Sequence, residues 1–352
     1  MYIKGKLGTG KDKPEKIRLA LTKSSNRRRA FTAPRGYSYD RYCVKGIPVE
    51  TLSKGSEPDH AVFIVHGGCL YSQITDYYRK RMKFLIGKTN SLAVMADYGV
   101  LPLSKYPSQL NDVYTVYLET VEKFGGNIVV FADGVGANLA VATLLKAKKE
   151  DVVLPKGLVL VQPFLDVSLS GDSVYDHFYF DKLFGNFTVT LPDLKDQLSD
   201  DKFFEYLRGV ERRYPLVSPL YGDLSLFPKT YLVTGDYSIF ESDALRFADK
   251  LSQEGVEVEV DDYHKKYGAY SFDSISKNRK KIADFITSVI GETKNVKREK
   301  VKKERSKKVR FSLNVEPIEP QDESVLIDEN VDDVVYTEGD PDSFESVFGG
   351  DE

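Results

Sequence analysis

Asn127-Ile-Val-Val-Phe-Ala-Asp-Gly-Val-Gly-Ala-Asn-Leu-Ala140 reads as an apolar strand, a turn of small residues, and an Ala/Leu-rich helix running on to about Ala147. A buried strand that feeds a helix through such a turn presents one side chain at the strand's end, with small neighbours two residues away on each side. Ala132 and Gly136 are those neighbours, and the residue between them is Gly134. Where a turn of this kind performs nucleophilic chemistry, that central position carries a serine. Glycine offers no oxygen and no sulfur to attack a carbonyl.

Working outward, His60-Ala-Val-Phe-Ile-Val-His66 is a second buried strand by its apolar, β-branched run, and it ends in Gly67-Gly68-Cys69. Two consecutive glycines let the backbone turn with its amides facing a cleft. Helical spacing over Asp76 to Gly87, an apolar run over Ser91 to Ala96, and a one-faced apolar helix over Leu110 to Phe124 come next. Beyond the central turn lie the strands Gly157–Gln162, Thr230–Gly235 and Val256–Val260, with helices over Ser242–Gln253 and Asp273–Ile290. Gly255 reads as a helix stop. Upstream, Tyr42-Cys-Val and Ile47 to Leu52 read as a short antiparallel edge.

The strand–helix alternation implies right-handed crossovers, hence an α/β fold with a mostly parallel central sheet and helices on both faces. The rhythm breaks between Asp166 and Pro215, a polar, aromatic stretch with one expected helix over Lys202–Arg213. An insertion of that length is a lid candidate over the cleft. The expected organisation is therefore a basic segment over residues 1–39 that contributes to the cap, a domain over 40–291 with its cap insertion at 166–215, a basic linker over 292–312, and an acidic, disordered tail over 313–352.

Charge is distributed unevenly. The chain's −3 is made of −14 in residues 313–352, which hold fourteen Asp/Glu and no Lys or Arg, and +11 in residues 1–312. The excess gathers in Lys4 to Arg35, with eleven basic residues, and in Lys294 to Arg310, with ten. Neither stretch interleaves aromatics with its charges or carries a nucleic-acid-binding motif, so nucleic acid is not the expected partner. Cys43 and Cys69 provide no disulfide framework, and no apolar run reaches the ~18 residues of a membrane span. These features, with no apolar leader at the N-terminus, place the expectation in the cytoplasm. No metal-ligand spacing and no cofactor motif is present, so neither a metal nor a cofactor is expected.

The order of elements and the residues at their ends resemble an α/β-hydrolase of the hormone-sensitive-lipase-like esterase group, over roughly residues 40–290. His66-Gly67-Gly68-Cys69 is similar to that group's His-Gly-Gly-Gly/Ala oxyanion loop. Asp97-Tyr98, Leu101-Pro102, Pro107 and Asp112 match its Asp-Tyr-x-Leu-Ala-Pro-Glu…Pro…Asp segment, without the Ala and Glu. Gln162-Pro163-Phe164-Leu165-Asp166-Val167-Ser168 stands where the group has Ser-Pro-Trp-x-Asp-x-Ser, and Ser218-Pro219-Leu220-Tyr221-Gly222-Asp223-Leu224 fits the stretch ahead of the acid-bearing strand. The resemblance implies a catalytic serine, acid and histidine, and it places them on Gly134, Ser238 and Gly268. A serine hydrolase needs a hydroxyl, a base and a carboxylate; none of the three positions supplies its group.

Replacement groups are few. Asp133 is out of register for an aspartate nucleophile, because its flanks two residues away are Phe131 and Val135; it reads as a carboxylate satisfied by nearby backbone amides. His264 lies four residues before the expected base slot and Asp236 two before the acid slot, so a shifted loop would be needed to use them. Cys69 is a thiol in the oxyanion loop, with the blander reading of a small buried residue. His66 reads as a structural support for its loop. The expected protein is a catalytically inactive hydrolase fold, a pseudoenzyme whose cleft, formed by His66, Gly67, Gly68, Cys69, Asp133 and Val135, holds a small apolar ligand. The plant gibberellin receptors, which resemble these esterases, are the precedent. The alternatives are an ester hydrolase with displaced groups, and a scaffold that presents its tail to a protein partner.

That tail reading rests on Lys308-Val309-Arg310-Phe311, which resembles the basic-Val-x-Phe motif that docks regulatory subunits on the catalytic subunit of type-1 protein phosphatase. The competing reading folds the acidic tail back on the basic remainder by charge alone. In the docking reading, a peptide of residues 300–320 titrated against that phosphatase binds even at ~1 M salt, where the Debye length is about 3 Å. It then loses binding with Val309→Ala plus Phe311→Ala. Binding that disappears with salt and ignores both substitutions assigns the tail to charge.

Overall fold

The computed structural model describes residues 31–55, 58–181, 207, 209–264 and 276–291. The chain divides into two units, Met1–Asn295 and Val296–Glu352, and the second lies wholly outside the described residues, as do Gly268 and the segment Lys308 to Phe311.

Eight strands form one sheet: β1 (Tyr37–Val44), β2 (Ile47–Lys54), β3 (Ala61–Val65), β4 (Leu92–Ala96), β5 (Ile128–Asp133), β6 (Gly157–Val161), β7 (Lys229–Gly235) and β8 (Val258–Tyr263). Their spatial order is β1-β2-β4-β3-β5-β6-β7-β8. The first two pairings in that order, β1 with β2 and β2 with β4, are antiparallel; every later one is parallel. β1 begins at Tyr37, three residues ahead of the domain start expected at 40.

The strands at the centre are apolar on both faces because both faces are covered. Val62, Ile64, Val129, Phe131 and Val159 pack with Met82, Leu85 and Ile86 of α1 (Asp76–Thr89) and with Ile282, Phe285 and Ile286 of α6 (Ser276–Ile290). Phe63, Val65, Val130, Ala132, Leu158 and Leu160 turn the other way. They meet Val113 and Tyr117 of α2 (Ser108–Phe124), Leu144 of α3 (Val135–Lys149) and Phe247 and Leu251 of α5 (Glu241–Gln253). Period-two alternation along each strand thus splits one sheet between two helical layers.

Two sequence expectations shift. The strand expected over Val256–Val260 is displaced to Val258–Tyr263, because the end of α5 keeps hold of the chain: the Gly255 amide donates to Ser252 O at 3.0 Å and the Val256 amide to Leu251 O at 2.9 Å. Of the helix expected over Lys202–Arg213, residues 209–213 are not helical, and Gly209 takes φ 80°, outside the helical region. Residues 202–206 lie outside the described part.

The described start of the insertion is strapped to the core. Helix α4 (Ser173–Asp176) faces the first turn of α5 through a reciprocal pair, in which the Ser173 amide donates to Ser242 Oγ and the Ser242 amide to Ser173 Oγ, both at 2.9 Å. Asp181 accepts the Ile239 amide at 3.1 Å, and Phe180 stacks on Tyr237 with ring centroids 5.1 Å apart. Asp166, where the insertion begins, is fully buried, and it accepts from Ser168, Ser170, Tyr221 and Arg246.

Candidate active-site cleft

The turn between β5 and α3 has the geometry that its sequence requires. Gly134 stands at φ 54°, ψ −122°, a region open to glycine and strained for any other residue. Space is not what selects glycine here, since a Cβ at this position would meet nothing within 4 Å. Gly136 is different: a Cβ there would overlap the carbonyl oxygens of Val65 and His66, so its lack of a side chain lets the first turn of α3 seat against the end of β3. Sharp turn and close approach together put residue 134 at the carboxyl edge of the sheet, where open α/β sheets place their ligands.

The loop after β3 is built against that turn by a buried charge. The Asp133 carboxylate accepts the Gly67 amide and the Tyr78 hydroxyl on Oδ1, each at 2.9 Å, and the Arg81 guanidinium on Oδ2 at 2.5 Å. Arg81 is 1% exposed and also donates to the Tyr77 hydroxyl, with its guanidinium 4.0 Å from the Tyr77 ring centre. Asp133 is therefore satisfied by one backbone amide, one phenol and one arginine. Burial, reinforced by the Asp133 charge, holds the Tyr78 phenol well above its usual value, so it stays a donor.

His66 supports the same loop. Its ring lies parallel to Tyr98 at 4.2 Å, its Nδ1 donates to Gly67 O at 2.9 Å, and its own carbonyl accepts the Tyr98 hydroxyl at 2.6 Å. Burial pulls the imidazole below its usual value and keeps it neutral. Gly68, at φ 108°, folds the chain over Ser72, whose amide donates to Gly68 O at 3.2 Å. With the Gly67 amide engaged by Asp133 and Tyr78, the amides of Gly68 and Cys69 donate to none of the described residues. Val135 opens α3, and the first amides of a helix have no intrahelical acceptor.

Burial pushes the Cys69 thiol up to about 12, and the negative charges of Asp181 and Asp133 add to the rise, so at neutral pH it is not a thiolate. The Ser238 hydroxyl accepts the Phe240 amide at 3.1 Å, a local turn bond. His264 and Asp236 do meet, Nδ1 to Oδ2 at 3.3 Å, but the imidazole is 87% exposed. His177 faces Glu241 at 3.2 Å and the Ser238 carbonyl at 3.3 Å, and His60 bonds Asp59 at 2.7 Å, partners that the sequence did not name. Among the described residues no group of three or more His, Cys, Asp or Glu is arranged to hold a metal ion, and no helix is long and apolar enough to cross a membrane.

Arg81 was not foreseen, although a signal existed: it falls at helical spacing on the face that carries Tyr78, Met82 and Leu85, where only a paired charge can be buried.

A hydrolase-type turn facing a glycine-rich loop across a mostly parallel sheet defines the class, and the comparisons with known proteins agree with it. The alpha/beta hydrolase fold family matches residues 62–271, and the chain belongs to that family. It is similar to an esterase of Acinetobacter venetianus, 28% identical over 217 residues that span 61% of this chain and 69% of that one. An acetyl-hydrolase of Streptomyces hygroscopicus is 23% identical over 267 residues, 71% of this chain and 86% of its own. Among solved structures, the hormone-sensitive-lipase homologue EstE7 from a metagenome library superimposes with a TM-score of 0.66 at 22% identity, covering 80% of this chain and 94% of that one.

The ion pair gives a stability test. Replacing Arg81 by Met strands the Asp133 carboxylate in the core, for which a loss of about 3–5 kcal/mol is expected in urea unfolding. Asp133→Asn in the same chain should recover part of that loss. A single-variant loss below about 1 kcal/mol would show that water reaches the carboxylate.

Proposed function

We propose that this chain is a non-hydrolysing α/β-hydrolase that binds a small, largely apolar ligand in the cleft between Gly68, Cys69, Gly134 and Val135. The observation that carries the proposal is Gly134 at φ 54° and ψ −122°, the turn of a nucleophile without a nucleophile. Supporting it, the acid position holds Ser238, whose hydroxyl is engaged by its own turn, and the thiol in the loop is held up to about 12. The base position, Gly268, lies outside the described residues, and its side chain carries no base in any conformation. The His264–Asp236 pair has the chemistry of a general base and its orienter, yet an exposed imidazole without a hydroxyl to deprotonate performs no acyl transfer. Binding in this reading uses backbone amides that survive the loss of catalytic side chains, together with the apolar walls usual in small-molecule sites.

Turnover of short-chain aryl esters by the purified full chain tests the proposal. The expected rate is that of the buffer, raised at most by what amide donors and nonspecific binding supply, about 10³–10⁴-fold over water. Gly134→Ser alone should leave it there, because no acid and base stand in their places. Turnover of about 1–10³ per second, removed by Cys69→Ala or His264→Ala, would overturn the proposal in favour of displaced catalytic groups.

A further inference from the structure

β6 is followed by Gln162, which takes φ 48°, a left-handed conformation uncommon for any residue but glycine. Its backbone is fixed on both sides. The Gln162 amide donates to Val233 O of β7 at 2.8 Å, while Val161 O accepts the Gly134 amide at 3.0 Å and Gly134 O accepts the Phe164 amide at 3.1 Å. Residues 161–164 are thus bonded to the turn at Gly134 and to the neighbouring strand. Gln162 is 4% exposed, and among the described residues neither its Oε1 nor its Nε2 has a hydrogen-bond partner. Thr234, the residue after Val233, is fully buried, and its Oγ1 is unpartnered too.

Buried side-chain polar atoms in folded proteins are nearly all satisfied, and an unmade bond leaves the group's desolvation uncompensated. Here three such atoms stand on adjacent strand ends, next to a turn whose central residue leaves open space. Where the esterase group has a small serine, this chain has installed a carboxamide, a group that offers donor and acceptor side by side. Most of the other buried groups of this kind, such as His66 Nε2, belong to side chains already held by other bonds or ring contacts, the exception being the lone Thr143 hydroxyl on α3. Gln162 has none.

We infer that Gln162 and Thr234 are recognition groups of the cleft and that the ligand they select carries a carboxamide or lactam. The ligand N–H meets Gln162 Oε1, its carbonyl meets Gln162 Nε2, and the Thr234 hydroxyl adds a third contact. This inference rests on the reading of the cleft as a binding site. An ester presents a carbonyl but no N–H, so it leaves Oε1 unpaired. A carboxylate is acceptor-only, so it too leaves Oε1 without a donor. Selection of amide over ester follows from the rule that a site built to hydrogen-bond an N–H rejects the analogue lacking it.

Calorimetric titration of the full chain with hexanamide, methyl hexanoate and hexanoate tests this. Hexanamide should bind at least about tenfold more tightly than methyl hexanoate, with hexanoate weakest; tenfold corresponds to ~1.4 kcal/mol. In Gln162→Leu the amide's advantage should vanish while ester binding persists, and the near-isosteric Thr234→Val should reduce it. Should Gln162→Leu fail to fold, Thr234→Val alone decides the matter. Equal binding of amide and ester to the unaltered chain, or a preference indifferent to both substitutions, overturns the inference and leaves the cleft as a binding site whose buried amide holds water. Silence from all three probes overturns the inference and the binding reading together.

Discussion

The Arg81–Asp133 ion pair holds the two halves of the cleft to each other. Asp133 is the last residue of β5, and its carboxylate reaches across to the Gly67 amide in the loop after β3, while α1 contributes Arg81 and Tyr78 from the layer below. Desolvating two charges is costly, and such pairs often do no better for stability than apolar residues of the same volume. What the pair does here is geometric: donors from the loop and from α1 must converge on one carboxylate at the end of β5, so the glycine-rich loop has one position relative to the turn at Gly134. A catalytic serine is not needed for that convergence. The scaffold around the turn is therefore built by residues other than the one at position 134.

Glycine at position 134 bears on the same point. In a hydrolase, a non-glycine residue in this conformation stores strain that the surrounding structure must hold in place. Glycine adopts the conformation freely, so the turn persists here without that load. The end of the next strand has moved the opposite way. Gln162 takes a positive φ that a glycine would take more easily, and it buries an amide with no partner among the described residues. Relief at one strand end and unsatisfied polarity at its neighbour are the two observations on which the proposed binding role rests.

The sequence made the sheet legible where strands are buried on both faces. β3, β5 and β6 are short apolar runs bounded by turn residues, and all of their residues are buried. At the edge, β8 is displaced by two residues because Leu251 O captures the Val256 amide, a helix-capping preference that apolar alternation does not register. The strap of the insertion was not legible at all. Its contacts are between serines sixty-nine residues apart in the chain, Ser173 and Ser242, and nothing in either local pattern points to the other. In the cleft, missing side chains could be read directly from Gly134 and Ser238, since absence needs no geometry. Partners could not: Arg81 beneath Asp133, His264 beside Asp236 and the isolation of Gln162 depend on distances that only the folded chain supplies.

The central claim is that the carboxyl edge of this sheet holds a nucleophile's turn and no activated nucleophile. Incubating the full chain with an alkyl fluorophosphonate, which phosphonylates activated serine hydroxyls, and weighing the intact protein puts that claim to its most direct test. The account predicts an unchanged mass under conditions in which a related serine esterase is fully labelled. A stoichiometric single adduct, mapped to any hydroxyl of the domain, would contradict it.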